Sequence, residues 1–423
     1  MKRRLLPILM TLVLVCALPI WAAFVTSGDV TNPLLTTADA AEPSVPVEVS
    51  TAADLQSNID AGNSVKLTKN IDINTALNVT STLTLDLNGC TLRMRGNTSV
   101  FYVYNNATLT IQDSSAAKSG TITGGNAGDG GGVYVEAYAT LEMTGGCITG
   151  CRAVDGGGVY VDYNATLKMT GGCITDCHAS YGGGGIYSYE NLYMGGTAKI
   201  EKCTSKWGSD DAIWNREKCN IYADGGTVDG TVNNQGTIRR SEGAAAETVF
   251  NGTVYNRSAG TIIAGIYNET VENNGTITGG TFWGTVTNKK SAWGNEAGTI
   301  RGGTFAVTFD RSDGTKTEPT LVEWNGKVSR PTSDPEKSGH TFVGWYLGDA
   351  LYDFNTPVNA PLTLTARWEE VPSSGGNYYY HPTTDTKADD TKGSPKTADP
   401  GVALYAALSL LSLTGLTCTA KKR

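Results

Sequence analysis

The chain of 423 residues holds 52 glycines and 17% charged residues, where about 25% charged is usual. At 39% hydrophobic and 8% aromatic it is too apolar for a disordered or collagen-like chain, and its Gly- and Thr-rich composition favours short strands and tight turns over a helical bundle. The formal charge is −8; the ends contribute +1 (residues 1–41) and +2 (398–423), leaving −11 on an acidic body that repels phosphate backbones, so no nucleic-acid partner is expected.

Residues 1–41 read as an export signal. Lys2, Arg3 and Arg4 form a positive start, Leu5 to Val25 an apolar stretch, and Ala38, Ala40 and Ala41 a small-residue cleavage region. The apolar run is also long enough to stay as an uncleaved anchor helix.

Residues 54–62 (DLQSNIDAG) predict a short helix that caps an open end, followed by strands in VKLTKNIDI and LTLDLNGCTL. A repeat dominates what comes next. Residues 131–155 and 157–181 are near copies at a shift of 26, matching Val133 with Val159, Leu141 with Leu167, Met143 with Met169, Cys147 with Cys173, and Cys151 with Cys177. Upstream, Phe101 to Ile122 supply a related coil with a six-residue insertion around Ser114–Ser119. Apolar residues alternate within each copy, the period-2 signature of a strand with one buried face. Three short strands in about 26 residues cannot bury a core alone, but coils stacked at about 4.8 Å can, through internal ladders of Val, Leu, Met and Ile. Residues 42–224 are therefore expected to form a cap and regular coils. Residues 225–305 repeat shorter phrases such as GGTVDGTVNNQGTI and ETVENNGTITGG, and are expected to continue the stack with irregular coils.

Residues 48–305 thus resemble the right-handed parallel β-helix regions of bacterial surface proteins, which share their fold with pectate lyases. Residues 306–369 contain VTFD, SGHTFVGWY, YDFNTPV and LTLTARW. They resemble the internalin B-repeat, also called the Listeria–Bacteroides repeat, which implies a small β-grasp-like module. Phe342, Trp345, Tyr346, Phe354 and Trp368 are expected to core it. Residues 370–393 are polar and read as a flexible linker across the wall. Residues 394–423 join Ser394, Pro395, Lys396, Thr397 and Ala398 to an apolar run and a basic end, Lys421, Lys422 and Arg423. This order is similar to the Gram-positive cell-wall sorting signal. The resemblance implies sortase cleavage between Thr397 and Ala398, with sortase and peptidoglycan as partners. A plain membrane tail anchor fits the same apolar run. The expected fold class is all-β: a right-handed parallel β-helix, then the repeat module, between a signal and an anchor.

Stacked cysteines place Cys147 beside Cys173, and Cys151 beside Cys177, within reach of disulfides. Unpaired thiols filling turn positions and a zinc site are the alternatives. Two stacked carboxylate pairs, Glu136 over Asp162 and Asp129 over Asp155, have the spacing of a retaining glycosidase, or else are surface and turn acids. His178, His340 and His381 lie in separate regions, and no nucleophile triad, phosphate loop or dinucleotide fingerprint occurs, so no catalytic residue, metal or cofactor is assigned. Tyr102, Tyr134, Tyr160, Tyr187 and Trp214 recur once per coil at an outward position. They are expected to form an exposed aromatic column, either a platform for sugar rings or a structural ladder. The function expected is a cell-wall-anchored adhesin or binding stalk without enzymatic activity, meeting host or microbial surface glycans or proteins. The rival is a β-helix polysaccharide lyase or glycoside hydrolase.

Overall fold

The computed structural model describes residues 45–206, 211–290 and 297–371. The signal, the sorting motif and residues 372–393 of the linker lie outside these. Among the described residues no helix is long and apolar enough to cross a membrane.

The protein is all-β, built from parallel ladders that wind around one core. Each coil contributes a strand to a first face, then a second, then a third. The first face runs from Val47–Val49 through Leu83–Asp86, Thr140–Met143 and Thr166–Met169 to Thr299–Ile300. The second runs from Ile71–Ile73 through Cys147–Thr149 and Cys173–Thr175 to Thr304–Asp310. The third is a ten-stranded sheet from Leu77–Val79 to Val286–Asn288. The register follows the repeat: Val133 pairs with Val159, Leu141 with Leu167 and Ile148 with Ile174. Phe101 pairs with Val133 and Ile122 with Ile148, so the extra residues between those strands leave the ladder as a bulging turn.

Inward residues form continuous columns. Leu109, Leu141, Leu167, Leu192 and Ile221 lie above one another, all fully buried. A second column runs Ile122, Ile148, Ile174, Ile200 and Val228. Each such side chain contributes about 1.5–3 kcal/mol of burial, and none could do so within a single coil. Toward the C-terminus the coils shorten, with Asn256 facing Asn273 and Asn273 facing Asn288. Shorter coils offer fewer inward positions, and larger side chains fill the space. The isoleucine column becomes a stack of Phe250, Tyr267, Phe282 and Phe305, with ring centroids 5.0, 4.9 and 5.4 Å apart.

The predicted helix is Ala52–Asp60. Thr51 caps it by accepting from the Asp54 amide at 3.1 Å, and Leu55 and Ile59, one turn apart, close the end of the core. At tight corners glycine is obligatory: Gly156 has φ +63°, and a Cβ on Gly157 would collide with the His178 carbonyl.

The repeat module is continuous with the helix. Thr304–Asp310 is both the last strand of the second face and the first of the module, where it pairs antiparallel with Thr320–Glu323 and parallel with Leu362–Glu370. His340–Leu347 completes the sheet antiparallel to Leu362–Glu370. The expected change of domain at 305–306 therefore falls inside one strand. No helix covers this sheet among its described residues; Tyr352, Val358 and Val328 pack into its core from the segments between strands. Trp345 is buried as expected, but Phe342, Tyr346, Phe354 and Trp368 are only half-buried, and Phe309 joins Trp345 edge to face at 4.8 Å.

Candidate functional site

The third face carries the aromatic column. Tyr102, Tyr134, Tyr160, Tyr187 and Trp214 pair directly from coil to coil, so their register is as expected. Their exposure is not. Tyr187 is 2% exposed and the others are half-buried, which corrects the expectation of an open strip. The cause lies two residues further along, where a neighbouring column runs Tyr104, Glu136, Asp162, Tyr189 and Arg216 from coil to coil. Tyr189 leans against Tyr160 at 5.9 Å and Tyr187 at 5.5 Å. Arg216 sits 5.0 Å above the Tyr189 ring and donates to the Tyr187 hydroxyl at 3.3 Å.

Ring orientation decides what the column can do. Tyr134 and Tyr160 stack at 5.2 Å and 7°, Tyr160 and Tyr187 at 5.7 Å and 3°, and Tyr187 and Trp214 at 6.2 Å and 13°. Among these four rings, faces meet faces. A sugar ring stacks on an open aromatic face, so this arrangement favours the structural ladder. Burial pushes the Tyr134, Tyr160 and Tyr187 hydroxyls well above the usual tyrosine range, and Tyr134 donates to Asp162 at 2.9 Å. Truncating the central pair, Tyr160→Ala with Tyr187→Ala, should now cost about 3 kcal/mol, because Tyr187 leaves a cavity. Thermal melting checks this; an unchanged melting temperature would mean that the column carries no packing.

Of the four stacked carboxylates, Asp155 and Asp162 are engaged in hydrogen bonds. Asp155 accepts from the Gly182 amide at 3.2 Å, and the next acid along, Asp211, accepts from Gly183 at 2.9 Å. Asp129 faces Asp155, and burial holds Asp129, Asp155 and Asp211 above the ordinary carboxylate range. Asp162 accepts from Tyr134 and from the Tyr163 amide. Among the described residues no group of three or more His, Cys, Asp or Glu converges as a metal site. His178 bonds Thr204 at 2.8 Å on the outer side, whereas its neighbour Cys177 is buried.

The cysteines divide by face. Cys147 and Cys173 point outward on paired strands and form a disulfide, with Cα atoms 4.5 Å apart. In the second pair within reach, the unpaired alternative holds: Cys151 and Cys177 are buried thiols in line with Cys203. The Cys177 sulfur lies 3.3 Å from the Thr175 carbonyl and 3.8 Å from that of Ile148, so backbone acceptors occupy these thiols. Hydrogen bonds that the Cys177 thiol makes to Cys151 and Cys203, with burial, push it well above the usual range. Because Cys147–Cys173 closes a loop of 26 residues, its reduction should lower stability by about 3 kcal/mol. Melting with and without dithiothreitol measures this, and Cys147→Ser should melt like the reduced protein and ignore the reagent.

Two features escaped the sequence reading. Tyr193 and Tyr222 stack at 4.3 Å on the first face. Inside the third face, a ladder of asparagines runs down the corner: Asn215 donates to Asn234 at 2.8 Å, Asn234 to Asn256 at 2.8 Å, Asn256 to Asn273 at 2.7 Å and Asn273 to Asn288 at 2.8 Å. Asn215, Asn234, Asn256 and Asn273 have no exposed surface.

Sequence comparison bears on the far end of the chain. Residues 305–367 match the Listeria-Bacteroides repeat domain. The match begins at the last ring of the aromatic core stack, Phe305, which is where the module takes over the strand. Two relatives from Evansella cellulosilytica are similar over 69 residues each. One, provisionally named a Gly-rich membrane protein, is 35% identical over 15% of this chain and 8% of its own length. The other, provisionally named a membrane protein, is 33% identical over 15% of this chain and 10% of its own. The chain therefore spans about a tenth of the length of these relatives.

Proposed function

We propose that the chain is a non-enzymatic surface protein, a β-helix stalk displayed on the wall of a Gram-positive cell by sortase. The tail carries this reading: Ser394 to Ala398, an apolar run and a basic end stand in the order that sortase requires. The repeat matched at residues 305–367 and the membrane-protein names of the two relatives agree with an address at the cell envelope. A solenoid suits display, since each added coil extends the molecule without a new core. The turn bonds of Asp155 and Asp211 leave these carboxylates with a structural task, which supports a scaffold over a lyase or hydrolase.

Mutation of the cleavage residue tests the anchor. Thr397→Ala should move the protein from the covalent wall fraction to the membrane and medium, read by immunoblot of fractionated cells. Wall attachment at the wild-type level would refute sorting. Release of unsaturated or reducing ends from a panel of polysaccharides would instead favour the enzyme.

A further inference from the structure

A polar groove crosses the corner between the second and third faces, beginning where the coil of Trp214 gives way to that of Thr231. It has a volume of 620 Å³ and is walled by Glu201, Lys202, Asp229, Thr231, Asn251 and Glu269. Part of its lining is backbone: a Cβ on Gly252 would collide with the Gly230 main chain, so that position carries no side chain into the groove. The walls come from successive coils, since Glu201 pairs with Asp229, and Phe250, beside Asn251, pairs with Val228 and Tyr267. Subsites are thus repeated at the coil spacing of about 4.8 Å, close to the length of one pyranose residue in a chain.

The polar groups are held in place before any ligand arrives. Asn268 donates to Asn251 at 2.7 Å, and Asn251 donates to Asp229 at 2.5 Å. Lys199 bridges Glu201 at 2.8 Å and Asp229 at 3.4 Å. One coil beyond Asn268 stands Trp283, 41% exposed, because Tyr267 pairs with Phe282. Its indole extends the row of amides and carboxylates with an apolar surface, the pairing that a sugar ring needs, one face apolar and the rim hydroxylated. Three carboxylates against two ammonium groups leave the groove slightly negative, which disfavours uronates and sulfated chains.

We propose that this groove binds a neutral oligosaccharide along the helix axis, with Trp283 stacking on a terminal ring. The inference does not depend on wall anchoring and is tested on the full-length purified protein in mild detergent. Titration calorimetry with cellohexaose, xylohexaose and chitohexaose should find binding to at least one, and none to polygalacturonate. Trp283→Ala and Asn251→Ala should each weaken that binding by about tenfold or more, with melting temperatures held, because both residues are on the surface. Tyr163→Ala, which removes a ring 4.6 Å from Tyr189 beside the tyrosine column, should bind as wild type. Failure of all three neutral oligosaccharides to bind, equal binding of polygalacturonate, or wild-type affinity in both groove variants overturns the proposal.

Discussion

Val159→Asp should lower the melting temperature by about 10–20 °C, the equivalent of about 5 kcal/mol or more. Val159 has no exposed surface and stands in a column between Val133 and Ile186. A carboxylate there has no partner, and the coils above and below cannot move apart without losing their ladder bonds. The sign of the pH dependence follows. Burial raises the folded-state pKa of the new carboxyl, so the folded protein holds a proton that the unfolded chain releases above about pH 3.9. Stability should therefore fall as pH rises through this range and recover in acid, a trend that circular dichroism melts at several pH values will show. Wild-type stability at neutral pH would place residue 159 on the outside and shift the register by one.

The second large effect belongs to the asparagine ladder. Asn256→Leu should cost about 4–6 kcal/mol, since it orphans several buried groups at about 1–3 kcal/mol each. Asn256 receives from Asn234 and donates to Asn273, and it also bonds the Gly260 and Thr276 carbonyls at 3.2 Å each. Substitution leaves the Asn273 oxygen without its donor and frees the turn at 256–260. Asn274→Ala, which removes a bond on the outer surface, should change stability by about 0.5 kcal/mol or less. Denaturant unfolding of both variants separates the outcomes; equal stability would mean that the ladder accompanies the turns without holding them.

The 26-residue coils were legible because two near copies fixed the inward and outward positions together. From Val133 and Val159, the pairing of Tyr134 with Tyr160 and of Cys147 with Cys173 followed directly. The burial of Tyr187 did not, because alternation tells which side a residue faces but not what lies beside it. The adjoining Tyr189 and Arg216 complete the cover that the stacked Tyr160 and Trp214 begin. The free state of Cys151 and Cys177 was hidden in the same way: stacking places sulfurs within reach, whereas facing inward beside backbone carbonyls gives the thiols another partner. In residues 225–305 the varying coil length obscured the register, and with it the asparagine ladder and the Phe250–Phe305 stack. A signal was present: Val232, Val254, Val271 and Val286 each precede, by two positions, an asparagine of the ladder. The boundary at 305–306 was blurred because one strand completes the solenoid and starts the repeat, so no linker composition marks it.

Display on the wall is tested most directly on intact cells that express the unaltered chain. Cell envelopes are boiled in detergent, then digested with a muramidase, and each extract is immunoblotted. A sortase-linked stalk resists the detergent and appears only after digestion, as a ladder of species bearing wall fragments. Complete extraction by detergent, as a single band, would contradict covalent anchoring and leave a membrane-held protein.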